Sequence, residues 1–330
     1  MNRISLDTSR QEFAGSLTLG RTRGWVRPTL GVSALFLTLL VVACGSSDEP
    51  VPTATAVPPT ATQPVPTTVV APKPLQATFA DGQFTVNFLY RSDLALTAAI
   101  ETVDVDSILE STFRRIGSLL PDEKFTINFV NTEPFQFRNP STSGLSPEQQ
   151  DALTQRGFII GPISSDRIEA QLNPNGSTEM AVVWRDVVPS AIAESIYLVL
   201  RQELSVGVNA DSLLDFMVGD GLGIAFQEEA FPGLEERLRR LLPDFAEVVF
   251  DLTAEQERDV WAAAQPDLDG LSRPAFDRIR GGKGEFPFGA GGAVGYRIVQ
   301  AYRQNNPGAT PSSLLLVSTV EIFEGSNYNP

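Results

Sequence analysis

The stretch DEPVPTATAVPPTATQPVPTTVVAPKP, Asp48–Pro74, constrains everything else in this chain of 330 residues. Proline and threonine dominate it, and it has neither a helical nor a strand period. Proline fixes φ and removes backbone donors, so the segment is expected to be extended, solvated and semi-rigid, and to take no part in a core. A fold must therefore be built on one side of it. On the N-terminal side, Arg21, Arg23 and Arg27 precede the 14-residue apolar run Leu30–Ala43. That run falls short of the roughly 20 residues a spanning helix needs and suits the core of a signal peptide. The globular region is expected between Leu75 and Pro330.

The apolar run ends in LVVACGSS, with Ala43 directly before Cys44, the only cysteine of the chain. This resembles the bacterial lipobox, which implies that Cys44 is acylated on sulfur and becomes the new N-terminus after cleavage. Three parts follow: residues 1–43 as a lipoprotein signal peptide, residues 44–74 as acylated cysteine and linker, and residues 75–330 as the folded domain. Two or more acyl chains hold a protein stably on a membrane. At about 3.1 Å per residue, an extended linker would hold the domain several tens of ångströms away from it. The expected location is the extracytoplasmic face of the cell membrane. An ordinary signal peptide or an uncleaved anchor, with Cys44 incidental, is the other reading.

The chain contains no histidine, which removes Ser-His-Asp and Cys-His catalysis and every imidazole metal ligand. One cysteine excludes intramolecular disulfides, thiolate zinc clusters and iron–sulfur sites. Residues 45–330 keep 20 basic and 38 acidic side chains, a net charge of −18. Such a surface repels phosphate backbones, so no nucleic-acid partner is expected.

Within the globular region the patterns favour strands first and helices afterwards. Strands are expected at Phe84–Tyr90, Lys124–Val130, Gly157–Ile163 and Arg167–Asn173, with an amphipathic helix over Val105–Pro121. After TEMAVVW the pattern turns helical. Helices are expected at Ala191–Leu204, at Asp211–Phe231 with Asp211 as N-cap, and at Leu234–Leu242 with Glu235/Arg239 and Glu236/Arg240 pairs. Two more follow, at Thr253–Gln265 behind a capping box of Thr253 and Gln256, and at Ala290–Asn305. A Gly- and Pro-rich loop joins these last two. Gly281, Gly282, Lys283 and Gly284 lack the strand and the Gly-Lys-Ser/Thr ending of a phosphate loop. The fold class is α+β, a small N-terminal sheet followed by a mostly helical part.

Four segments in order, AESIY (Ala193–Tyr197), DGLG (Asp220–Gly223), VGYRIVQAY (Val294–Tyr302) and VEIFEGSNY (Val320–Tyr328), resemble a family of predicted zinc-dependent proteases. The resemblance implies a zincin-like metallopeptidase fold: a sheet with an edge strand, a helix bearing His-Glu-x-x-His, and a second helix carrying an acidic third ligand. Mapped residue by residue, Ala193 and Tyr197 stand where the two histidines belong. Glu194 stands at the general-base position, Asp220 at the third ligand, and Tyr296 on the Gly-Tyr helix is a candidate for facing the cleft. Alanine offers no ligand and neutral tyrosine a poor one, so the metal site is read as degenerate, with no metal and no cofactor.

The leading expectation is thus a membrane-anchored pseudo-metallopeptidase that binds a peptide or protein, or acts as a scaffold. An extended peptide would add to an edge strand such as Arg167–Asn173 or a neighbour. Two alternatives remain: a hydrolase using Glu194 and Asp220 as a carboxylate pair, with Glu194 catalytic, or a structural lipoprotein without ligand.

Overall fold

The computed structural model describes residues 74–92, 97–98, 100–101, 103–131, 158–164, 167–172, 179–204, 212–270, 272–280 and 286–330. Cys44, the apolar run before it, the Pro/Thr-rich stretch and the glycines at 281–284 lie outside these residues. The protein is α+β and mostly helical, with a five-stranded sheet ahead of the helices.

The sheet has the order β1 (Gln76–Phe79), β2 (Phe84–Phe88), β3 (Phe125–Asn131), β5 (Arg167–Leu172), β4 (Phe158–Ser164). The alternation that marks β2 in sequence puts Phe84, Val86 and Phe88 inside and leaves Thr85 and Asn87 half-exposed. β2 and β3 run parallel with Phe84 opposite Phe125 and Phe88 opposite Phe129. A parallel pair needs a crossover, supplied by α1 (Val105–Gly117), whose Phe113 ring stacks on Phe84 with centroids 4.6 Å apart. β3 and β5 are also parallel, whereas β1 and β4 are antiparallel edges. Pro162 lies on β4 at a break in register, where a residue without an N–H costs least. This corrects one expectation: Arg167–Leu172 is paired on both sides, so it is not an edge that could accept a peptide.

The helices begin earlier than the pattern suggests. TEMAVVW is itself helical from Met180, and passes through a wide π turn at Val183–Val187 into α2 (Val188–Leu204). Pro189 lies just beyond that turn. A proline there cannot donate to the carbonyl four residues back, and a rearranged turn relieves the clash. Trp184 of the π turn is fully buried between Phe129 and Tyr90, tying the helices to the sheet.

α3 (Leu213–Ala230) is capped by Ser212, not Asp211; the Ser212 hydroxyl accepts from the Asp215 amide. α4 (Leu234–Leu241), α5 (Pro243–Phe250), α6 (Ala254–Ala264), α7 (Arg273–Arg280), α8 (Ala290–Asn305) and α9 (Thr319–Ser326) complete the order. α6 carries the expected capping box. On α4, Arg239 grips Glu235 and Asp251, while Arg240 reaches Asp186 rather than Glu236. α5 and α9 carry no expectation from the pattern, whereas α7 corrects one: it stands in the stretch expected to be a Gly- and Pro-rich loop, where Ala275, Phe276 and Ile279 bury one helical face.

α3 and α8 cross in direct backbone contact. A Cβ on Gly295 would overlap the Met217 carbonyl oxygen, and one on Gly221 would overlap the backbone of Gly295 and Tyr296. Only glycine fits at that crossing, and the crossing fixes the residue before Gly221, which is Asp220.

Candidate functional site

As far as Arg201, helix α2 is buried on nearly every side, so the polar residues of that stretch are carried into the core, while Gln202 and Glu203 at its end are exposed. Glu194 is 3% exposed and Asp220 on α3 is 5% exposed. Glycines clear the room each side chain occupies. A Cβ on Gly223 would lie 3.2 Å from Glu194 Cγ and 3.4 Å from its Oε1, and one on Gly292 would lie 3.2 Å from Asp220 Cβ. The DGLG segment and the first turn of α8 therefore form the walls of a small acidic enclosure.

Burial pushes the Glu194 carboxyl well above the usual carboxylate range, and the Asp220 charge pushes it further the same way. Asp220 is also driven well up by burial, opposed by the weaker pull of the Arg280 guanidinium. Glu194 Oε2 and Asp220 Oδ2 are sealed from solvent without a hydrogen-bond partner among the described residues. A lone buried carboxylate is costly enough that the group takes up a proton instead, so the pair is held toward the neutral acid form. Gln227, two turns beyond Asp220 on the same face of α3, is fully buried with both amide atoms unpartnered among the described residues.

The two positions where the resemblance would put histidines fare differently. Ala193 is fully buried and brings no donor atom. Tyr197 is also fully buried; its ring stacks on Phe226 at 4.7 Å and its hydroxyl donates to the Pro311 carbonyl at 2.8 Å. Burial raises the phenol further from ionisation, so it stays a neutral donor already engaged elsewhere. Tyr296 is half-buried and lies edge-on to Phe250, with ring centroids 6.0 Å apart, packed against both the main core and a smaller apolar cluster with Ile224 and Leu238. The fold thus brings Glu194 and Asp220 together and leaves Tyr197 and Tyr296 in other company.

Zinc does not fit this donor set. Of four motif positions, one has no ligand atom, one is committed to a carbonyl, and two are carboxyls biased toward protonation. Among the described residues, no group of three or more acidic side chains has the spacing to hold a metal ion.

Pattern reading missed Arg280, which is 3% exposed, ends α7 and weakly opposes the upward push on the Asp220 carboxyl. A signal was present in RPAFDRIR, where Ala275, Phe276 and Ile279 recur at helical spacing. Compared with known proteins, the chain matches no family model, no curated protein and no solved structure.

Proposed function

We propose that this is a lipid-anchored extracytoplasmic protein built on a zincin-like domain whose metal site has been lost. Its role is non-catalytic: holding an extended peptide or a protein partner, or acting as a scaffold at the membrane. One observation carries the reading. A glutamate and an aspartate from two successive core helices share an enclosure beside two positions that cannot ligate a metal. An ordinary helical core has no use for two unpartnered carboxyls, since a well-packed apolar pair of the same volume is as stable or more so. Their retention with the ligands gone fits a decayed site better than a designed one.

Further support comes from the sheet, which precedes these helices and ends in an antiparallel edge strand, β4, packed along α2. An extended peptide would add to that edge, which pairs with no further strand among the described residues, its main-chain hydrogen bonds giving affinity and its alternate side chains specificity.

Metal content and casein hydrolysis of the purified mature protein test the non-catalytic part. The expected result is substoichiometric zinc and no hydrolysis, unchanged in Glu194→Gln. Stoichiometric zinc with activity abolished by Glu194→Gln would refute it. The anchor is tested separately by labelling cells with a fatty-acid analogue: incorporation is expected in the wild type and not in Cys44→Ser.

A further inference from the structure

We propose that the groove between the end of α8 and the outer side of α9 docks a basic segment of a protein partner. One lysine or arginine of that segment sits among Tyr302, Glu321 and Glu324, and its apolar neighbours cover Val320 and Leu316. None of these residues belongs to the acid pair or to the edge of β4, so the inference goes beyond the ancestry of the one and the peptide pairing of the other.

Local rules build the groove. The Ser318 hydroxyl accepts from the Glu321 amide at 3.1 Å and starts α9. From there the helical period turns Thr319 and Ile322 into the core and leaves Val320, Glu321 and Glu324 exposed. The far end of α9 is tied to α8, where the Asn305 side-chain amide donates to the carbonyls of Gly325 and Ser326 at 3.0 and 2.9 Å. Gly325 lies on the Tyr302 ring so closely that a Cβ would meet its Cε2 at 2.6 Å. Between these contacts opens a groove of about 460 Å³, lined by Tyr302 and Asn306 at the end of α8 and by Ser318, Val320, Glu321 and Glu324 at α9. That volume is large enough to take a ligand group.

Three polar groups of the groove have no partner among the described residues. Tyr302 is only 9% exposed, yet its hydroxyl makes no hydrogen bond there, although a buried phenol ordinarily finds one. The Glu321 and Glu324 side chains have neither an ion pair nor a hydrogen bond there. Elsewhere arginines answer such acids: Arg239 holds Glu235 and Asp251, and Arg278 holds Asp267. Two carboxylates and a phenol oxygen in one groove call for a positively charged donor. An ammonium or guanidinium supplies it and an anion does not.

The apolar border decides what carries the cation. Leu316 is 68% exposed and Val320 57%, four residues apart where α9 begins. A free amine would leave both in water, whereas a protein segment that places its cation in the groove covers them. A charged head in a polar pocket with its stem and neighbours on apolar surface is the usual anatomy of a protein interface. The net charge of −15 favours the approach of a basic segment over an acidic one.

The test is fluorescence anisotropy of three labelled hexapeptides titrated with the purified protein at physiological salt: leucine alternating with lysine, leucine alternating with glutamate, and serine alternating with lysine. The leucine–lysine peptide should bind saturably, and the leucine–glutamate peptide about tenfold more weakly. The serine–lysine peptide should lose about fivefold, because its side chains bury little apolar area. Glu321→Gln/Glu324→Gln should weaken the leucine–lysine peptide by about fivefold, and Tyr302→Phe by about threefold. A control pair with the same change of charge, Asp122→Asn/Glu123→Gln on the exposed turn before β3, should leave binding within about twofold, since salt screens distant charges. An equal loss in both pairs would mean that net charge alone attracts the peptide and would overturn the proposal. Equal binding of the serine–lysine peptide would assign the groove to a bare cation, and dimerisation abolished by Glu321→Gln/Glu324→Gln would assign it to a second copy; either result overturns it too.

Discussion

Arg201 and Glu194 sit seven residues apart on one face of α2, both buried, and have opposite fates. Arg201 is satisfied on all sides. Its Nη1 donates to the carbonyls of Leu314, Leu315 and Val317, and its Nη2 to the Thr319 hydroxyl. The Asp215 carboxylate completes the neighbourhood electrostatically. Arg201 thus gathers the turn before α9 and the start of α9 onto α2. Glu194, two helical turns earlier, has an oxygen without any partner among the described residues and a second acid as its neighbour. A buried charge with fork-shaped hydrogen bonding is a staple, while a buried acid without partners discards its charge. The contrast separates what the core of this protein uses from what it merely accommodates.

Breaking the staple should have the largest effect. Arg201→Met leaves three carbonyls and the Thr319 hydroxyl short of a donor, and should cost about 3–5 kcal/mol, read as a lower denaturant midpoint. A smaller effect is expected at Tyr197, midway between the two. Tyr197→Phe keeps the stacking on Phe226 but strands the Pro311 carbonyl, and should cost about 1–2 kcal/mol.

At the other pole, Glu194→Gln and Asp220→Asn replace near-neutral acids with neutral amides of the same shape. Each should change stability at neutral pH by about 1 kcal/mol or less, in either direction. A loss on the scale of Arg201→Met would mean that the acids are partnered charges and would erase the comparison.

The pH profile sharpens it last. Both carboxyls bind protons more tightly folded than unfolded, where acids titrate near pH 4. Their stabilising contribution is complete below about pH 4 and is lost as pH rises toward their folded values. The double variant Glu194→Gln/Asp220→Asn should therefore lose less stability than wild type on going from pH 4 to pH 8 in parallel melts. Equal slopes would show that neither acid is shifted upward.

Local patterns carried much of the architecture because they report on backbone and on burial. Phe84–Phe88 and Phe125–Asn131 alternate because one face of each is buried, and Thr253 with Gln256 forms its box from residues three apart. α8 is legible at its observed bounds, Ala290–Asn305, since Gly289 and Asn306 interrupt the pattern on either side. Where neighbours distant in sequence decide, the pattern fails. Arg167–Leu172 reads like any strand, and only pairing with both β3 and β4 makes it interior. Met180–Val187 is rich in β-branched residues, yet Trp184 packing between Phe129 and Tyr90 holds it helical.

The sequence alone determined that no imidazole and one thiol are available, that proline and threonine crowd the stretch Asp48–Pro74, and that acids occupy positions 194 and 220. Composition and order are covalent facts and need no folding to be true. Only the tertiary structure decided that those two acids are buried as neighbours, while Tyr197 turns to Pro311 and Tyr296 to Phe250. Which side chains meet depends on the crossing of α2, α3 and α8, and that crossing is set by glycine contacts between helices dozens of residues apart.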